Sequence, residues 1–304
     1  MDGILNLAKP KGPTSHDVIQ RVRSAIGVKR VGHTGTLDPM AEGVLVVCIG
    51  KAARIAEYLV GCEKEYEADL VLGISTATQD AEGEIISIAD ASYITQESVL
   101  SVLPKFTGSI LQVPPMVSAI KRDGKRLYEL ARNNIEVHRE PREVTISLLE
   151  MTSFNFDQDR GVPIVGLRIV CSSGTYIRTL CSDIGDALGV GGHMGALIRT
   201  RVGKFCIQDS ITLDELESTA LSGDVSHFFI SMKDALSDLP CIVIDDKMTA
   251  KVANGSLIVI RSDIADGELV RICSERGEFL AVGKILARGT EKFLKPEKVF
   301  VGAE

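Results

Sequence analysis

The sequence contains no stretch approaching the roughly 20 consecutive apolar residues that a membrane-spanning helix requires. Its first residues, Met1-Asp2-Gly3-Ile4-Leu5, carry neither the basic nor the apolar region of a signal peptide. Both absences lead us to expect a cytoplasmic protein with no membrane partner. The seven cysteines (Cys48, Cys62, Cys171, Cys181, Cys206, Cys241 and Cys273) are odd in number and include no close pair, so they read as reduced, mostly buried thiols. His16, His138, His193 and His227 also lack metal-ligand spacing, and no metal is expected. A phosphate-cradling glycine motif, internal repeats and low-complexity segments are missing as well.

Positive charge is in deficit: the formal net charge is −7, which at face value argues against a nucleic-acid substrate. Its distribution changes the argument. Residues 5 to 54 carry eight basic side chains (Lys9, Lys11, Arg21, Arg23, Lys29, Arg30, Lys51, Arg54) against three acidic ones, and Arg199, Arg201 and Lys204 lie in a stretch free of acids. Acids gather between Asp209 and Asp238, opposed only by Lys233. A local positive face steers a polyanion more than net charge does, although the same residues also fit ordinary solvated faces. With 304 residues, 45% hydrophobic and 25% charged, the chain is long enough for one large domain and a small one.

One run stands out: Gly32-His33-Thr34-Gly35-Thr36-Leu37-Asp38-Pro39-Met40-Ala41-Glu42-Gly43-Val44-Leu45. It sets a single carboxylate, Asp38, between Leu37 and Pro39 on a glycine-punctuated loop ahead of an apolar strand. Pro39 pushes Asp38 toward an extended conformation, and the glycines allow tight turns and close approach of a substrate. Asp38 is therefore a candidate nucleophile; on the residues alone an Asp-Pro turn opener is the commoner reading.

Thr14-Ser15-His16-Asp17 is a capping-box-like start for a helix that buries Val18, Ile19, Val22 and Ile26 and closes at Gly27. Val44 to Ile49 reads as a strand buried on both faces, followed by a helix over Lys51 to Val60. Glu65 to Leu72 alternates so that Tyr66 points inward; Pro163 to Cys171 is a further strand, and Gly174 to Leu188 a turn and helix with Arg178 in its first turn, off the apolar stripe. These elements predict an α/β (α+β) fold around a mixed sheet, not a doubly wound one. From about Pro240 short β-like runs (Cys241 to Ile244, Leu257 to Ile260, Leu269 to Cys273, Phe279 to Val282) alternate with Gly and Asp turns, which predicts a small all-β barrel after an acidic helical connector.

The Asp38 run resembles the catalytic motif of the TruB-type tRNA pseudouridine synthases. Three further blocks agree in order: Asn6-Leu7-Ala8-Lys9-Pro10-Lys11-Gly12-Pro13-Thr14-Ser15, Lys64-Glu65-Tyr66, and Cys171-Ser172-Ser173-Gly174-Thr175-Tyr176-Ile177-Arg178-Thr179. Gln112-Val113-Pro114-Pro115-Met116-Val117-Ser118-Ala119 and Leu294-Lys295-Pro296-Glu297-Lys298-Val299 are also family-like. The resemblance implies a mixed-sheet pseudouridine-synthase catalytic domain flanked by helices (1–238) and a PUA-like RNA-binding domain (239–304). It implies isomerisation of the T-loop uridine at position 55 of tRNA to pseudouridine, by a monomer without cofactor or obligate protein partner.

In that reaction the C1′–N1 glycosidic bond breaks and the base rejoins through C5, which calls for a carboxylate in a dry pocket, a cation to keep it ionised, and extrusion of the base from its stack. By the same resemblance Asp38 is the nucleophile and Arg178 its cation. Tyr66 lies against the uracil and takes part in proton transfer at C5, Tyr176 and Leu197 line the base pocket, and His33 stacks in the remodelled RNA loop. Lys9, Lys11, Lys64, Arg199, Arg201 and the segment Lys121-Arg122-Asp123-Gly124-Lys125-Arg126 are expected at phosphates. Three positions depart from the family pattern: Ala77 for an acid, Glu42 for a Thr, and Ile198 for the first Arg of a pair. Two rival readings, an RNA-binding module with an unused pocket and a carboxylate-dependent glycosidic hydrolase, differ in product.

Overall fold

A computed structural model describes residues 1–118, 120–122, 125–127, 135 and 137–301. Its first strands are β1 (Gly3–Lys9), β2 (Val31–His33), β3 (Glu42–Ile49), β4 (Lys64–Leu72), β5 (Ile74–Thr76), β6 (Ile85–Ile88) and β7 (Gly108–Gln112). The hairpin β8 (Lys121–Arg122) and β9 (Lys125–Arg126) precedes β10 (Arg142–Asp157), β11 (Val162–Cys171), β12 (Gly192–Val202), β13 (Phe205–Cys206) and β14 (Ile211–Thr212). One ten-stranded sheet runs in the order β14-β1-β3-β12-β4-β11-β10-β7, with β13 on β12 and β2 on β3. Only the β1/β14 and β3/β12 pairings are parallel, as expected of a mixed sheet.

Helix α1 (Ser15–Ile26) starts where the sequence places it: the Thr14 hydroxyl accepts from Asp17 N, and the Asp17 carboxylate accepts from Thr14 N at 2.9 Å. Gly27 ends it at φ +67°. The helix expected over residues 51–60 is broken into a 3₁₀ turn (Gly50–Arg54) and α2 (Ala56–Val60). Across the break Ala52, Ile55 and Leu59 keep the i, i+3, i+7 spacing of one helical stripe and all three are buried.

Helices cover both sheet faces. On one side α3 (Gln96–Val102) and α4 (Ile177–Ala187) enclose a core with Leu70, Leu167, Leu180, Ile184 and Leu197. On the other, α1 and α5 (Leu213–Ser222) pack on Leu5, Leu7, Leu45 and Val47. Beyond the connector, β15 (Cys241–Ile244), β16 (Ile258–Ile260), β17 (Leu269–Ser274), β18 (Phe279–Arg288) and β19 (Glu291–Val299) form a second sheet ordered β15-β17-β18-β19-β16. One helix, Asp246–Ala253, joins this otherwise β unit. Its sheet is not separate from the first: Val282 and Phe300 share a core with Ile4, Val46, Ala52 and Leu59. Arg54 donates to the Val299 carbonyl at 2.6 Å and lies over the Phe300 ring, while Lys298 pairs with Glu57 at 3.0 Å.

Candidate active site

Residues 34–41, between β2 and β3, lie outside the strands and are held mainly by side chains reaching in. From α1 the Ser15 hydroxyl accepts from Leu37 N at 2.8 Å and donates to Leu37 O at 3.0 Å, clamping the residue before Asp38. From β1 the Lys9 ammonium donates to the carbonyls of Pro10 (2.9 Å), Pro39 (3.2 Å) and Ala41 (2.7 Å). Its three protons are thereby used. Arg199 on β12 donates to Gly35 O, Thr36 O and Val44 O at 3.1, 3.3 and 2.7 Å. The close passage of β3 over β12 requires Gly43: with φ at +102°, a Cβ there would lie 2.2 Å from the Arg199 carbonyl oxygen.

The loop presents Asp38 to Arg178, in the first turn of α4. Arg178 Nε meets Asp38 Oδ2 at 2.9 Å and Nη2 meets Oδ1 at 3.5 Å, a fork on one carboxylate. The guanidinium is only 4% exposed, whereas Asp38 keeps 37% of its side-chain surface open. Off the apolar stripe, as expected, Arg178 is nevertheless buried, because a second carboxylate receives it: Nη1 meets Asp80 Oδ2 at 3.3 Å and Thr78 O at 3.1 Å, and Nη2 donates to Val117 O at 2.9 Å. Asp80 has no role in the reading from sequence. Its neighbour Gln79 adopts φ +63° and is the one non-glycine at positive φ among the described residues.

A cavity of about 270 Å³ opens beside this pair and is lined by Asp38, Tyr66, Tyr176, Arg178 and Leu197, together with Lys64 and Ser118. Tyr66 and Leu197 reach it from adjacent strands, since β4 pairs with β12 with Tyr66 opposite Arg199 and Ala68 opposite Leu197. Burial raises the Asp38 carboxyl above its ordinary value; Arg178 and, more weakly, Lys9 pull it down, while Asp80 pushes it up. Burial also raises the Tyr66 and Tyr176 phenols, so both stay protonated at neutral pH. Lys9 is lowered to about 8 by burial.

His33 sits at the end of β2, half-buried, with Nδ1 accepting from Gly35 N at 3.3 Å; burial and then Arg199 lower its pKa. It stands near the loop and outside the cavity lining. Two expected phosphate ligands need correction. Lys9 (1% exposed) and Arg199 (2% exposed) are buried with their donors committed to loop carbonyls, so they brace the Asp38 loop and do not face an RNA backbone. Lys64 is also buried, donating to Val60 O and Cys62 O, and like Arg199 it borders the cavity. Arg201 pairs with Glu65 at 3.0 Å, and Lys11 is exposed. In the segment Lys121 to Arg126, Asp123 and Gly124 lie outside the described residues. Of the three departures, Glu42 and Ile198 are partners in the β3/β12 register and so lie side by side. Among the described residues no group of three or more His, Cys, Asp and Glu side chains is placed to hold a metal, and no helix is long and apolar enough to cross a membrane.

The family model of the TruB family pseudouridylate synthase N-terminal domain matches residues 23–177, which include Asp38, Tyr66 and Tyr176. The chain belongs to the TruB family. Two further TruB models, for a tRNA pseudouridylate synthase B C-terminal domain and for the pseudouridine synthase II TruB C-terminus, match residues 178–235 and 240–300. Similar TruB proteins named tRNA pseudouridine synthase B come from Pelotomaculum thermopropionicum (44% identical, covering 99% of this chain and 95% of that one) and Geobacillus thermodenitrificans (44%, 99% and 100%). Among solved structures, a chain of an H/ACA ribonucleoprotein bound to a substrate RNA containing 2′-deoxyuridine is 28% identical with a TM-score of 0.74, covering 98% of this chain and 85% of that one. A Cbf5-Nop10-Gar1 complex contributes a chain 30% identical with the same TM-score and coverage. As a TruB member the chain is a pseudouridine synthase, an isomerase.

Proposed function

We propose that this enzyme converts the T-loop uridine at position 55 of tRNA to pseudouridine, with Asp38 as nucleophile. The observation that carries the reading is the Asp38 carboxylate held in the Arg178 fork at the edge of a cavity walled by Tyr66, Tyr176 and Leu197. An arginine holds the charge of a half-buried carboxylate without itself titrating. The uridine is flipped out of its stack, at a cost of roughly a few kcal/mol, and His33 fills the vacated stack. Asp38 then attacks C1′ as the C1′–N1 bond breaks. The uracil turns against Tyr66 and Tyr176, and its C5 bonds to C1′ as the Asp38–C1′ bond breaks and returns the carboxylate; N1 ends protonated, and the C5 proton leaves through a relay that includes Tyr66. Atoms and electrons balance within the substrate, so the isomerisation calls for no cofactor.

Asp80 does not turn the site into a hydrolase pair. Its Oδ2 is taken by Arg178 and its Oδ1 by the Thr78 hydroxyl and Glu82 N, and the residue lies outside the lining of the cavity. Lys11, Lys64 and Arg201 supply phosphate contacts. Residues 1–238 act as the catalytic domain and 239–304 as the RNA-binding one, in a cytoplasmic monomer without an obligate protein partner.

The test is incubation of wild type and Asp38→Asn with an unmodified tRNA transcript, with chelator and no added cofactor, followed by site-resolved mapping of pseudouridine. Wild type is expected to give a single T-loop pseudouridine, and Asp38→Asn to bind the transcript without modifying it. Activity retained by the variant removes the nucleophile assignment. Pseudouridine at another site removes the substrate assignment, and free uracil indicates hydrolysis.

A further inference from the structure

Gln112 is the last residue of β7, the outer strand of the main sheet, yet its side chain is 1% exposed. Its carboxamide pairs with both backbone groups of one residue: Oε1 accepts from Tyr176 N at 2.8 Å, and Nε2 donates to Tyr176 O at 3.0 Å. The pairing fixes the amide orientation, because the flipped form would set donor against donor. Tyr176 is the N-cap of α4 and caps that helix with no side-chain hydrogen bond of its own. Its backbone is instead held by Gln112, in the geometry of a single β-bridge.

Tyr176 lines the cavity, and two residues further on Arg178 holds Asp38. The Arg178 guanidinium also reaches back to Val117 O at 2.9 Å, five residues beyond Gln112. The strap 112–118 and the start of α4 are thus fastened at two points, one of which is Gln112. We infer that Gln112 is a positioning residue for the reaction: it touches neither substrate nor reacting atoms, and it sets the Tyr176 ring and the Arg178 fork by holding the backbone from which both project.

The inference rests on the roles given above to Asp38 and Arg178. Gln112→Met removes both hydrogen bonds at similar volume. A displacement of catalytic groups of order 1 Å costs about 100-fold in rate, so kcat is expected to fall by about that factor while KM changes by less than about threefold. The pH profile separates positioning from a general structural role. Arg178, Asp80 and Lys9 are the charged groups that act on Asp38, and a loosened Arg178 leaves Asp38 harder to ionise, so the acid limb of kcat moves to higher pH. Simple destabilisation lowers the melting temperature and leaves that limb in place.

Wild-type kcat and an unmoved acid limb in a folded Gln112→Met variant overturn the inference. If that variant does not fold, Gln112→Glu decides: it keeps the acceptor for Tyr176 N but sets a carboxylate oxygen against Tyr176 O, and a wild-type profile there overturns the inference equally. Asp38→Asn is assayed alongside. Activity in Asp38→Asn defeats the nucleophile reading, whereas wild-type turnover in the Gln112 variants defeats the positioning role alone.

Discussion

Replacing Arg178 by lysine keeps the charge and removes the fork, and the structure sets the size of the loss. The guanidinium makes five contacts within 3.5 Å: two to Asp38 and one each to Asp80, Thr78 O and Val117 O. An ammonium has three donors on a single atom, so at least two contacts go. At about 1.5–3 kcal/mol for each hydrogen bond to a charged group, the total is about 3–6 kcal/mol. Divided evenly between folding and the transition state, this removes about 1.5–3 kcal/mol of barrier lowering, or roughly 10- to 150-fold in kcat. Rejoining at C5 expels the hydrogen there, so a transcript tritiated at uridine C5 reports turnover directly as tritium released to water. Release by Arg178→Lys at a rate equal to wild type, with the same melting temperature, would refute the reasoning, since it would mean that the bidentate geometry contributes nothing to keeping Asp38 ionised.

Gly43→Ala is expected to destabilise without touching a catalytic group: its Cβ would meet the Arg199 carbonyl at 2.2 Å in a φ +102° conformation, a cost of at least about 3 kcal/mol, read as a fall in melting temperature on the order of 5–10 °C. As pH falls, kcat is expected to decline through a pKa above the ordinary aspartate value, because burial raises Asp38 and only its anion attacks. A carboxyl raised in the folded state binds its proton more readily there than in the unfolded chain, so protonating Asp38 adds stability while stopping turnover. A pH–rate profile of the wild type checks the sign.

Local features of the fold were legible wherever one element carries its own signal. The Thr14–Asp17 box, the Val44–Ile49 apolar run and the Tyr66 alternation all appear as read, the run as part of the strand Glu42–Ile49. The long β10 was not legible: its register shifts at Ile146/Leu148 and Met151/Ser153 reset the two-residue period, and much of its surface is exposed. The charged β19 lacked an apolar pattern and carries Pro296, which is accommodated at the irregularity beside Gly283. At the site, Asp38 stood out on its glycine-punctuated loop and Arg178 was named through the family resemblance; the structure brings the two side chains together. Lys9 and Arg199 were misread for a physical reason: a cation beside a catalytic loop looks the same in sequence whether it faces solvent or backbone carbonyls, and only the crossing of β1, β3 and β12 turns these two inward. Gln112 lay in a family-like block, but its partner Tyr176 is 64 residues away, and Asp80 is 98 residues from its partner Arg178.

The apolar cluster shared by Ile4, Val46, Leu59, Val282 and Phe300 disregards the boundary between the family models near residue 240. Sequence modularity and mechanical modularity therefore part company in this chain. Excising the terminal sheet would strip a wall from the ten-stranded sheet, leaving the backs of β1 and β3 wet, and grafting a foreign terminal unit would require recutting that wall to fit.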